Sequence, residues 1–284
     1  MRLDEQLRSL PPSVTRRDAE RLAAHVLQRD RAFLLAHPEL ALDEAQRRAL
    51  AALLDRRAAG EPLQYLLGVQ EFYGLPLRVT PAVLIPRPET ELLVEQVLLW
   101  AAEMPHPPTT DPAAEDALRL LDVGTGSGAI ALALATHLPE AQIVALDRSA
   151  AALDVARENA ASLGLGGRIR FLQSDLLQGL DEGAARFHAL VANLPYIPNR
   201  DAATMQREVV GYEPHSALFS GDDGLDAIRR LLPQARKHLR NGGLLALEFG
   251  YGQQEALAAL LRVWNDVRFV QDYAGIPRLA LATR

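Results

Sequence analysis

Leu120-Leu121-Asp122-Val123-Gly124-Thr125-Gly126-Ser127-Gly128 decides how this chain is read. The apolar run over residues 118–123 has the character of a buried strand, and residues 129–138 that of a helix. Three glycines join them, letting a ligand come close to the backbone where a Cβ would block it. Outward from this loop, apolar strands are expected at 143–146, 169–172, 189–192, 244–249 and near 268–270. Helices are expected between them, notably at 150–163 and 224–239. The closing LALATR, residues 279–284, is expected as a last edge strand. Strand and helix in repeated alternation with short connections imply a parallel, doubly wound α/β sheet. Such sheets hold ligands in the crevice at the carboxyl ends of their strands.

That placement gives the loop a chemistry. Asp147 ends the strand in IVALD, where a carboxylate can accept both hydroxyls of a ribose. Together Gly124, Thr125, Gly126, Ser127, Gly128 and Asp147 suit an adenosine-containing cofactor. Gly124-x-Gly126-x-x-Ala129 also satisfies the dinucleotide fingerprint, so a NAD-linked oxidoreductase is one reading. Asp122 weighs against it, since an acid there repels a pyrophosphate but suits the cationic methionine end of S-adenosylmethionine. After the third strand, Asp175 either takes the adenine amino group or caps a helix, and Leu176 is placed to pack on the adenine face.

Upstream, the first sixty residues read as helices. Thr15 and Asp18 have the spacing of a capping box, with Asp in place of the usual Glu. Ala19, Leu22, Ala23, Val26 and Leu27 then recur at helical spacing. A second helix is expected from Asp43 as N-cap, burying Ala49, Leu50, Leu53 and Leu54, with Gly60 and Pro62 ending it. EFYGLPLRVTPAVLIP, residues 71–86, suggests a short hairpin or extended connector, followed by a helix at 91–102. MPHPPTTDPAAED, residues 104–116, reads as an exposed loop without evident chemistry.

The chain has 284 residues, 49% hydrophobic and 23% charged, which is enough apolar material for a core and for two domains. A net charge of -6 disfavours nucleic acid as the main partner. The absence of cysteine excludes disulfides, thiolate metal sites and cysteine nucleophiles. The seven histidines lack metal-ligand spacing, so no metal is expected. The N-terminus has no signal-peptide pattern and no run approaches the ~18 residues of a membrane span. The expected compartment is the cytoplasm.

The fourth strand runs into Asn193-Leu194-Pro195-Tyr196, placing an amide, a turn and an aromatic ring beside the cofactor cleft. This resembles the methyltransferases of planar and amide nitrogens, whose motif is (Asp/Asn)-Pro-Pro-Tyr. The resemblance narrows to the peptide chain release factor N5-glutamine methyltransferases, the HemK/PrmC family, and covers nearly the whole chain. It is carried by Pro62-Leu63-Gln64-Tyr65, by Phe72-Tyr73-Gly74-Leu75 and by Val83 through Glu91, VLIPRPETE. Glu213-Pro214, Ala217-Leu218 and Gly221-Asp222-Asp223-Gly224-Leu225 match its segment after the acceptor loop. One position departs: Leu194 stands at the first Pro, as in rRNA adenine dimethyltransferases.

The resemblance implies a Rossmann-like seven-stranded class I methyltransferase sheet, a small N-terminal helical domain and a hairpin linker. The expected division is 1–67 for recognition of the release factor, 68–85 for the linker and 86–284 for catalysis. The implied acceptor is the glutamine of the Gly-Gly-Gln motif in class 1 release factors. Asn193, through its side-chain oxygen, and Leu194, through its carbonyl, are expected to accept the two N–H groups of that amide. Tyr196 is expected to set the amide plane and Pro195 to hold the turn. Asn193 also borders the cofactor. An adenine N6-methyltransferase acting on nucleic acid is the alternative, and a non-catalytic adaptor a further one.

Overall fold

The computed structural model describes residues 2–104, 117–181 and 186–284. Most of the Pro-rich stretch expected as an exposed loop, residues 105–116, lies outside them. The chain forms two compact units. One is Met1–Val69 with Met205–Glu213, the other Gln70–Thr204 with Pro214–Arg284. Among the described residues, no helix is long and apolar enough to cross a membrane.

The helical unit forms where local signals say it should. Thr15 accepts the Asp18 N–H at 3.0 Å and opens helix Arg16–Leu27. Asp43 and Gln46 form a reciprocal capping box at the head of helix Glu44–Ala58. Each cap satisfies N–H groups that the first helical turn leaves unpaired. Ala19, Leu22 and Ala23 face inward and meet Leu50 and Leu54 in one core. Ala49, expected inside, is exposed, and Leu53 is only partly buried. A late segment completes this unit. In helix Arg207–Tyr212, Glu208 receives Arg57 at 2.8 Å, while the same guanidinium holds Asp18 at 3.0 Å.

The larger unit begins one residue into a two-stranded hairpin, β1 Val69–Phe72 and β2 Leu75–Arg78, whose turn residues Tyr73 and Gly74 both have positive φ. The main sheet is built from β3 Arg119–Val123, β4 Gln142–Asp147, β5 Ile169–Gln173, β6 Phe187–Ala192, β7 Leu239–Glu248, β8 Asn265–Gln271 and β9 Pro277–Thr283. Its order is β5-β4-β3-β6-β7-β9-β8. The strands from β5 to β7 run parallel, and β9 is antiparallel to both neighbours. Consecutive residues feed opposite faces: Leu120 packs under helix Glu91–Ala102, Leu121 under helix Asp226–His238.

The last strand corrects the sequence reading. It lies inside the sheet between β7 and β8, and Leu279 to Ala282 are buried. An unbroken apolar LALA run is what a strand covered on both faces requires. The edge belongs instead to β8, whose residues from Asn265 to Arg268 are exposed.

Candidate active site

The chain runs from β3 outward through β4 to β5, then returns to β6 on the other side of β3. That reversal opens a crevice at the carboxyl ends of β3 and β6. In-register pairing of Val123 with Ala192 brings the glycine loop and the acceptor loop together. A Cβ on Gly124 would stand 3.1 Å from Leu194 Cδ2 and 3.7 Å from the Asn193 carbonyl oxygen. A cavity of about 270 Å³ opens here, lined by Gly124, Gly126, Asp147, Asp175, Leu176 and Asn193 among others.

The loop is held by its own strand ends. Gly124 and Thr125 donate to the Leu146 carbonyl at 2.8 and 2.9 Å. Asp147 accepts the N–H groups of Gly126 at 2.9 Å and Ser149 at 2.8 Å, one on each carboxylate oxygen. Each oxygen keeps a further lone pair for a hydroxyl. Burial raises the Asp147 carboxyl above its ordinary range, and those two backbone donors oppose the shift. Asn159, buried, donates to the carbonyls of Arg78 at 3.0 Å and Ser127 at 2.9 Å, tying the hairpin to the glycine loop.

Asp122 is buried beneath the loop and accepts the Thr125 hydroxyl at 2.6 Å through Oδ2. Its Oδ1 is buried, and the backbone of Ala131 at the start of the following helix also acts to keep the carboxyl ionised. Burial pushes its carboxyl up to about 7. Asp122 itself does not line the cavity; it braces the loop from below through Thr125, which follows Val123 and Gly124 of the lining. Asp175 lines the cavity but is also engaged by Arg230 from helix Asp226–His238. The residues after it form turns, not a helix that Asp175 would cap. Leu176, buried, has a φ of 54°, an uncommon conformation for a residue with a Cβ.

The acceptor loop is braced on several sides. Ile197 N–H donates to Leu218 and Ser220 N–H to Ile197, each at 3.0 Å. Gln253 donates from Nε2 to the carbonyls of Tyr196 and Asp223, each at 2.8 Å. The Tyr196 hydroxyl donates to Glu248 Oε1 at 3.2 Å. The Asn193 amide donates to Thr90 Oγ1 at 2.9 Å, and Thr90 donates in turn to Glu248 Oε2 at 2.7 Å. Burial pushes the Glu248 carboxyl up to about 7 and raises the Tyr196 phenol well beyond its usual range. Glu248, Gln253 and Arg230 carry no signal in the sequence, and Thr90 enters it only as part of the VLIPRPETE run, without a role. Thr90 and Glu248 are 158 positions apart, and no local pattern links them.

Residues 4–68 match the PrmC N-terminal domain model, and residues 120–211 match a methyltransferase domain model. A release factor glutamine methyltransferase of Moorella thermoacetica is 46% identical over 272 residues, covering 95% of this chain and 91% of that protein. The one from Escherichia coli K12 is 44% identical over 268 residues, covering 94% and 91%. The chain belongs to this family. Among solved structures, a T. thermophilus 16S rRNA methyltransferase, RsmC, crystallised with AdoMet and guanosine, superposes with a TM-score of 0.54 at 20% identity. It covers 76% of this chain and 49% of that one, a likeness of fold alone. As a member of that family, the chain is an S-adenosylmethionine-dependent methyltransferase, and its seven-stranded sheet is of the class I kind. Gly124, Gly126 and Asp147 line the cavity, and Asp122 lies buried beside the loop.

Proposed function

We propose that this methyltransferase modifies the side-chain amide nitrogen, N5, of the glutamine in the Gly-Gly-Gln motif of class 1 release factors. The observation that carries the reading is the direct packing of Asn193 and Leu194 against Gly124, at the reversal point of the sheet. Family membership supplies the acceptor: the relatives are named for release factor glutamine. The reaction belongs in the cytoplasm, where release factors meet ribosomes, and the helical unit is the part proposed to recognise the factor's body.

S-adenosylmethionine supplies an electrophilic methyl group on a sulfonium sulfur. The amide nitrogen is a weak nucleophile because its lone pair is shared with the carbonyl, so orientation matters more than a strong base. Asn193 Oδ1 and the Leu194 carbonyl each accept one amide N–H, which aims the nitrogen at the methyl group. As the N–CH3 bond forms and the S–CH3 bond breaks, positive charge reaches the nitrogen, and these two oxygens stabilise it. The nitrogen then gives one proton to water, leaving the neutral N-methyl amide, and the demethylated cofactor departs as a neutral thioether. Tyr196 packs on the flat amide, and Pro195 keeps the turn. Gly124, Thr125, Gly126, Ser127, Gly128, Asp147, Asp175 and Leu176 hold the cofactor.

The test is direct. The protein is incubated with methyl-labelled S-adenosylmethionine, a class 1 release factor and rRNA. Label on the glutamine of the release factor is expected. Label on rRNA adenine, with none on the factor, would overturn the reading.

A further inference from the structure

An asparagine amide can present either its oxygen or its NH2 group to a ligand, and only the oxygen accepts a substrate N–H. Something must choose between the two orientations. In this site the choice is made by a chain of hydrogen bonds with a fixed direction. Glu248, buried at the end of β7, offers two acceptor oxygens when ionised. Thr90, buried at the end of the turn Pro88–Thr90, has one hydroxyl proton, and it is committed to Glu248 Oε2. Thr90 Oγ1 has only lone pairs left for Asn193. The amide must therefore turn its NH2 toward Thr90, as it does at 2.9 Å. The reverse orientation would set two oxygen lone pairs against each other.

We infer that Thr90 and Glu248 are positioning residues that fix the polarity of the Asn193 amide, so that its oxygen faces the substrate. Glu248 acts on the acceptor loop twice, since its other oxygen holds the Tyr196 hydroxyl and with it the plane of the ring. One carboxylate thus orients both the acceptor oxygen and the aromatic platform. The direction of the relay depends on the charge of Glu248. Burial and the nearby Glu89 favour the protonated form; the Thr90 and Tyr196 hydroxyls and the Arg278 cation favour the ionised one. A protonated Glu248 can donate to Thr90, freeing the Thr90 proton for Asn193 Oδ1 and reversing the amide.

The inference rests on the proposed role of Asn193 toward glutamine, and the experiment separates the two. Full-length wild type and variants are assayed with release factor and S-adenosylmethionine, and cofactor affinity is measured by calorimetry. Thr90→Val should lower kcat about tenfold or more while KM and cofactor affinity stay within about twofold. Thr90→Ser should recover most of the rate, since it keeps the hydroxyl. In an Asn193→Ala background, Thr90→Val should bring no further loss, because the group it orients is gone. Should Thr90→Val fail to fold, Glu248→Gln carries the test through the acid limb of the kcat–pH profile, which should disappear. A Thr90→Val enzyme with wild-type kcat, losses that multiply in the double variant, or an unchanged acid limb in Glu248→Gln would overturn the inference. A wild-type enzyme that leaves release factor unlabelled would overturn the function reading instead.

Discussion

Gly126→Ala and Gly128→Ala should fail in different ways, although the two glycines lie two residues apart in one loop. Both have positive φ, 56° and 85°. A left-handed conformation costs a residue with a Cβ roughly 1–2 kcal/mol. At Gly126 nothing lies within 4 Å of the new Cβ, so the folded state bears that backbone cost alone. At Gly128 the Cβ meets Leu132 Cδ1 at 3.1 Å, and the Cβ and Cα of Ala156 at 3.2 and 3.5 Å. Leu132 can rotate, but Ala156 is fixed in helix Ala150–Ser162, so overpacking adds roughly 1–3 kcal/mol. The summed loss for Gly128→Ala is roughly 2–5 kcal/mol against roughly 1–2 for Gly126→Ala. Binding should show the opposite order. Gly126 lines the cavity, so on the proposed cofactor site an added Cβ would take space from S-adenosylmethionine, and affinity should drop about tenfold or more, which is ~1.4 kcal/mol. Urea unfolding followed by circular dichroism gives the first quantity and titration calorimetry the second. A Gly128→Ala protein unfolding within about 1 kcal/mol of wild type would refute the packing argument.

Other substitutions probe the neighbouring groups. Asp147→Ala should weaken the cofactor and its demethylated product by roughly 1.5–3 kcal/mol, the cost of a lost charged acceptor; calorimetry with unchanged affinity would remove Asp147 from the site. Asn193→Ala should lower kcat more than it raises KM and leave cofactor binding intact, whereas Leu194→Pro should keep activity, because proline retains the carbonyl. A folded Leu194→Pro enzyme inactive on glutamine would assign Leu194 a side-chain or N–H role. Asp122 has a pH signature. Its folded-state pKa is raised by burial to about 7, above its ordinary 3.8, so the stability it contributes is present at low pH and lost as pH rises through about 7. Asp122→Asn removes that titration, and its stability relative to wild type should improve between pH 5 and pH 8. A pH-independent difference in urea midpoint would contradict this.

The parts of the site legible in the sequence are those whose meaning is local. The glycine loop, Asp147 and the acceptor loop each follow directly from a strand, so adjacency in the chain places them at the crevice. Helix starts at Thr15 and Asp43 were legible for the same reason, because a cap acts over three residues. The position of β9 was not, since an apolar segment does not say which neighbours it will take. Nor were Thr90 and Glu248, whose roles arise from strand order. β7 lies beside β6, and the turn before helix Glu91–Ala102 supplies a hydroxyl that reaches both Asn193 and Glu248. The Arg57 contacts divide along the same line. Its partner Asp18 is 39 positions away within the early helices, but Glu208 is 151 away.

That last separation governs the order in which the molecule can be made. During synthesis, helices Arg16–Leu27 and Glu44–Ala58 leave the ribosome early, and Arg57 can find Asp18 at once. Glu208 follows 151 residues after Arg57, which at ~5–20 residues per second is a delay of roughly 8–30 s. For that interval the nascent helical unit lacks one of its own helices and one of the two carboxylates around its central guanidinium. It is completed only after β6 and the acceptor loop have themselves been translated. A ribosome stalled anywhere before Met205 therefore carries an unfinished first unit, however many residues of the second have already emerged.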